Sequence, residues 1–203
     1  MTYDAWSGGI DAQSGCRLPL PHRANLDARG QAAMDRQMDP ARGSLVGLRG
    51  PTGIRLHSPF LAEHAQALVD YFRRDSTLDP RTQEIAILAT ARSNDSEFEW
   101  AAHAPAALQA GVSAQTIDVI RRQSSLESLD NDDRLIVRIA RQLFAERRLD
   151  DVLYGEAIAR FGSKKLVELI SFMAMYAGTA YLLAAFDMQL PDGAEPAFTV
   201  DAD

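Results

Sequence analysis

The sequence predicts an all-α fold, and three observations carry that expectation. No strand-like alternation of apolar and polar residues runs longer than a few positions. Apolar residues instead recur at helical spacing, as in Phe60, Leu61, Ala65, Leu68, Val69 and Phe72, and in Leu135, Ile136, Ile139, Ala140, Leu143 and Phe144. Helix-opening signals precede these stretches: Ser58 before Pro59, Asp79 before Pro80, and Asp130.

Taken in order, residues 1–50 hold seven of the thirteen glycines and few bulky apolar side chains, so a mostly irregular N-terminal arm is expected, with one possible short helix from Asn25 to Met38. A helical domain over 51–190 follows. Its first helix is placed from about Pro59 to Arg74. The next opens at Asp79-Pro80 and closes at Ser93 to Asp95, and its IAILATA run is apolar all round, which reads as buried. Asn94 followed by Glu97 has the spacing of a capping box, which would start the third helix near Asp95. Pro105 lies inside that helix, Gly111 ends it, and Ser113 opens a short helix to about Arg122. Asp130 caps a further helix, 150–161 forms another with Gly162 as its stop, and Ser163 opens the longest. The run LISFMAMYAGTAYLLAAF, 169–186, is long enough to raise a membrane span. It is solitary and interrupted by Ser171 and Thr179, so the expectation is a central buried helix, whose Ala174, Ala177, Gly178 and Ala180 let another helix approach closely, including one from another subunit. Residues 191–203 read as a loose acidic tail. Leu78–Arg92 and Leu129–Leu143 share an LD opening, a hint of a repeated helical hairpin.

A net charge of -7, with no run of Lys or Arg longer than two, argues against nucleic acid or an anionic membrane as partner. The single cysteine, Cys16, cannot form an internal disulfide, and the N-terminus shows no basic and apolar leader pattern, so a cytoplasmic location is expected.

The ionisable residues concentrate in one stretch, Leu78 to Gly111. Glu84 lies in the apolar run. His103 follows Glu99 by four residues, so carboxylate and imidazole share one helix face, and Ser96 precedes them on the same stripe. Read from residues alone, the set is either a satisfied polar cluster that fixes helix packing or a proton-transfer site. An imidazole exchanges protons near neutral pH, and a neighbouring carboxylate fixes its tautomer. Glu84, in the most apolar setting, either carries a proton or holds His103 in place. Two carboxylates and a histidine would also suffice for a divalent ion, although a second histidine is lacking. Among lower-ranked residues, His57 could reach a pocket, Arg55 and Arg81 could clamp a substrate carboxylate, Tyr176 and Tyr181 read first as core, and His22 and His64 as surface.

The spacing of Glu84, Ser96, Glu99 and His103, the string EFEWAAHAPAALQAG and the lead-in LDPRTQEIAIL together resemble the carboxymuconolactone decarboxylase family, whose relatives include alkyl hydroperoxidase D-like proteins; the resemblance covers roughly Pro51 to Pro191. In the peroxidase branch a C-x-x-C pair stands where this chain has Ser96 and Glu99, so the resemblance is to the branch without the dithiol, many of whose substrates are unassigned. It implies an alkyl hydroperoxidase D-like helical bundle and a cofactor-independent, metal-free acid–base enzyme, a lyase acting on a small carboxylated or lactone-type substrate, as in aromatic compound degradation. Decarboxylation, isomerisation, lactone hydrolysis and retro-aldol cleavage all stay open. Glu84, Glu99 and His103 would be catalytic, and Trp100, Ser96, His57 and Tyr176 would contact substrate. A homo-oligomer, trimer or hexamer, is implied as well. The rival readings are a thiol-free relative of alkyl hydroperoxidase D and a non-catalytic helical oligomer.

Overall fold

In the computed structural model, residues 8–39 and 45–198 are described; the parts of the expected arm at 1–7 and 40–44, and the end of the expected tail at 199–203, lie outside them. A 3-10 turn at Arg23–Asn25 precedes α1 (Ala28–Met38), α2 (Pro51–Arg55), α3 (Pro59–Arg74), α4 (Pro80–Ser93), α5 (Glu97–Gln109), α6 (Ala114–Arg121), α7 (Asn131–Glu146) and α8 (Asp151–Ala185). Among the described residues no strand occurs, and the fold is all-α.

The chain forms two compact units. The first comprises Met1–Ala65 and Leu182–Gln189. Asp27 caps α1 by accepting from the Gly30 amide, and Gly50 (φ 102) turns the chain into Pro51 at the start of α2. A methyl group at Gly53 would stand 2.1 Å from the Leu48 carbonyl oxygen, so only glycine fits there. Backbone bonds from Arg17 to Phe186 and from Gln189 to Gly15, both 2.8 Å, tie the two segments of this unit together. Cys16 is fully buried, its thiol against the Leu18 carbonyl.

The second unit, Gln66–Tyr181 with Leu190–Asp203, contains one continuous core. Its centre is α4, where Ile85, Ala86, Ile87, Leu88, Ala89 and Ala91 are all buried. The apolar run visible in sequence has a physical counterpart: α4 packs against α5, α6 and α7 at once, so residues 85–91 are all buried. The two LD openings are equivalent. Asp79 accepts from the Thr82 amide and Asp130 from the Asp133 amide, while Leu78 and Leu129 are both buried and the two capped helices pack on each other.

Two expectations are corrected here. The central place belongs to α4, because α8 is only partly covered: its apolar window has a mean hydropathy of 1.5 but is 50% buried. Leu166, Leu169, Phe172, Met173 and Ala177 face the core, while Val167 (64% exposed), Ala174, Gly178 and Tyr181 (67% exposed) lie open on the other side. Tyr181 is therefore a surface residue. Gly162 (φ 71, ψ 168) breaks α8 where the sequence placed a stop and a restart. The second correction concerns α5. Its N-cap is Ser96, and Asn94 instead closes α4, its side chain donating to the Thr90 carbonyl at 2.8 Å. The capping box fails because both of its members have other partners, as Glu97 shows below.

Glu168 on α8 is a buried carboxylate that ties down the chain before α4. It accepts from the Tyr71 hydroxyl (2.6 Å), the Thr77 amide (2.8 Å) and the Thr77 hydroxyl. These donors, the Thr77 hydroxyl foremost and then the Tyr71 hydroxyl, outweigh the effect of burial and lower its pKa from 4.5 to about 2. A carboxyl depressed in the folded state stabilises that state fully above its unfolded pKa, and the contribution disappears as pH falls through the folded value. Unfolding followed across pH 5 to 2 is therefore expected to show an acid limb that Glu168→Gln flattens; an unchanged limb in the variant would refute this assignment.

Candidate acid–base site

Two helices of the second unit place the ionisable trio. Glu84 lies on α4, one turn after the Asp79 cap and the Pro80 start, and Glu99 and His103 lie one turn apart on α5. Between the helices the chain turns at Asp95 (φ 47), and the Ser96 amide bonds back to the Ala91 carbonyl at 2.8 Å. This corner folds α5 along α4, so residues nineteen apart in sequence meet: His103 Nδ1 lies 3.0 Å from Glu84 Oε2. On the opposite edge of the ring, His103 Nε2 is 3.9 Å from Glu99 Oε2. The trio is sheltered but not sealed, with side-chain exposures of 16% for Glu84, 11% for His103 and 6% for Glu99.

The geometry divides the labour between the carboxylates. At 3.0 Å Glu84 Oε2 and His103 Nδ1 are within hydrogen-bonding distance, and a proton between them would favour the tautomer with the lone pair on Nε2. Glu99, at 3.9 Å, is beyond hydrogen-bonding distance of Nε2. The two ring nitrogens thus face different carboxylates, Nδ1 toward Glu84 and Nε2 toward Glu99. The three donors do not point at a common centre, since the carboxylates sit on opposite nitrogens of one ring; among the described residues no group of three His, Cys, Asp or Glu is arranged for a metal ion.

Of the residues expected to contact substrate, Tyr176 stands at the site, its ring edge-on to the imidazole with centroids 5.4 Å apart and edge-on to Phe172 at 5.0 Å. Ser96 is nearly buried at the start of α5, and its hydroxyl makes no cap bond. Trp100 is buried and packs edge-on to Phe198 at 5.1 Å. His57 belongs to the first unit, where Nε2 meets the Pro19 carbonyl at 2.8 Å. His64 is exposed, with Nδ1 on the Phe60 carbonyl. Arg81 is no substrate clamp: its guanidinium grips the buried Asp133 through two bonds of 2.6 and 2.7 Å. A groove of about 440 Å³ near the start of α7 is lined by Arg134, Arg138, Arg160, Asp132 and Glu156 and contains none of the trio.

Sequence reasoning missed the role of Glu97. Its two carboxylate oxygens accept the amides of Ala197 and Phe198, each at 2.8 Å, so the tail described as loose is held at that point. The available signal was Phe198 itself, a large apolar residue in an otherwise acidic and polar end.

The second unit is thus an all-α unit that carries a carboxylate–imidazole–carboxylate set on two packed helices. Residues 59–142 match the model of the carboxymuconolactone decarboxylase family. The match contains Glu84, Ser96, Glu99, Trp100 and His103 and ends before Tyr176. No curated protein matches the chain at a significant level.

Proposed function

We propose that the protein is a cofactor-independent acid–base enzyme, a lyase of the carboxymuconolactone decarboxylase kind, acting on a small carboxylated or lactone-type molecule. The observation that carries the reading is the oriented imidazole: Glu84 holds Nδ1 at 3.0 Å while Nε2 stands 3.9 Å from Glu99. In the decarboxylation, the bond between the substrate carbon and its carboxylate breaks, carbon dioxide leaves, and the electron pair flows into a conjugated carbonyl or lactone. His103 Nε2 then delivers a proton to the resulting enolate, and Glu99 stabilises the imidazolium that precedes that step. Glu84 keeps the ring in register, and Tyr176 and Ser96 contact the substrate, with Trp100 as a wall behind them.

Dithiol exchange lacks its reactants, since the chain has one cysteine. The exposed stripe of Val167, Ala174, Gly178 and Tyr181 on α8 supports a homo-oligomer, trimer or hexamer, formed through that face; a Cβ at Gly178 would meet nothing within 4 Å of this chain. Cytoplasmic location and the absence of nucleic-acid or membrane partners complete the reading. The test is a screen of carboxylated lactones and aromatic-degradation intermediates that follows carbon dioxide release and ring opening. Turnover of at least one is expected; turnover that does not depend on His103 would overturn the assignment.

A further inference from the structure

The C-terminal segment closes on the corner that joins the two site-bearing helices. Phe198 is buried, with the Trp100 ring of α5 edge-on at 5.1 Å and the Arg92 guanidinium, from the last turn of α4, 4.6 Å from its ring centroid. Arg92 is in turn held by the Arg121 carbonyl at 2.8 Å and paired with Asp95. Glu97, the first residue of α5, accepts the two consecutive amides of Ala197 and Phe198. Glu97 and Trp100, three residues apart, share one side of the first turn of α5, and Glu99 in the same turn is directed to a different side, toward His103 Nε2.

Ser96 provides no side-chain cap, and the turn before it passes through a positive φ at Asp95, so the start of α5 is not fastened by the local signals that usually secure a helix. The 3.9 Å separation of Glu99 from Nε2 is longer than a hydrogen bond, and Glu99 belongs to the first turn of α5. By contrast, the Glu84–His103 bond is direct and tolerates small shifts.

We infer that Glu97 and Phe198 are positioning residues, and that the C-terminal segment is a wedge at the α4–α5 corner which sets Glu99 against His103 and thereby tunes the imidazole. This rests on the acid–base reading of the trio. The groups facing the imidazole are Glu84 from α4, Glu99 from α5 and the Tyr176 ring from α8; the wedge acts on the second of these.

The test needs no substrate, which keeps it separate from the search for turnover. In the full chain carrying Phe198→Ala, the His103 ring resonances are followed through a pH titration by NMR, assigned by their loss in His103→Gln, alongside the tryptophan emission. The titration midpoint is expected to move by about half a pH unit or more, roughly a threefold change in proton affinity, together with a red shift in emission as Trp100 meets water. Glu97→Gln, which leaves the ring in place but disturbs the bonds to the two amides, is expected to move the midpoint in the same direction by less, and it decides the matter if Phe198→Ala does not fold. A red-shifted emission with an unmoved His103 midpoint would overturn the inference, as would a midpoint unchanged in Glu97→Gln.

Discussion

His103→Gln is expected to lower turnover by roughly 10²- to 10⁴-fold, the usual worth of one general acid or base, with the helical unit still folded. Glutamine can donate an amide hydrogen to Glu84 where Nδ1 did, so the α4–α5 cross-link made at 3.0 Å is kept in kind. What it lacks is a group that gains and loses a proton, and the proposed chemistry turns on that exchange at Nε2. The measurement is carbon dioxide release with the best substrate from the screen, paired with a thermal melt of the variant. A melt close to that of the parent with activity gone is the expected pair of results. Near-full activity would remove His103 from the chemistry and leave the trio as a packing device.

Asp133→Ala carries the largest expected cost in stability. Asp133 is 1% exposed at the start of α7 and binds both terminal nitrogens of Arg81 at 2.6 and 2.7 Å, with the Thr116 hydroxyl 3.4 Å away. The substitution leaves Arg81 and Thr116 without that acceptor and loosens the tie between α4 and α7. Breaking a fully buried pair costs about 3–5 kcal/mol, while an exposed pair is worth about 0–1 kcal/mol. The Arg81 side chain is 36% exposed and keeps Asp130 at 3.5 Å, so a loss of about 2–3 kcal/mol is expected, between those limits. Urea unfolding would show it as a lower midpoint at an unchanged slope. A change below about 0.5 kcal/mol, the scale of an ordinary surface substitution, would mean that the pair contributes nothing to the fold.

Where information was local, the sequence was legible. Asp79, Ser113 and Asp130 cap the helices they were expected to cap, because an oxygen three residues ahead of an amide is a short-range arrangement. The proximity of Glu99 to His103 followed from helical spacing, and that of Glu84 from an apolar run that demanded a partner for its charge. Contacts between distant segments were not legible. Arg81 looked like a possible substrate clamp because its carboxylate lies 52 residues away, and Glu97 looked like a capping residue because its amide partners lie a hundred residues downstream. Likewise, the apolar richness of α8 fixes that it buries something without saying how much of its circumference is covered; half of it is not. The resemblance to a known family narrowed the reading of the trio, which periodicity alone had left divided between packing and chemistry.

Gly162 has a bearing on how the long helix can vary. In an uninterrupted helix each residue advances the azimuth by about 100°, so a one-residue insertion anywhere upstream would rotate every later side chain out of its seat. With φ at 71 and ψ at 168, the glycine departs from that regular advance. The bearing of Leu169, Met173 and Gly178 therefore does not continue the count that runs from Asp151 to Phe161.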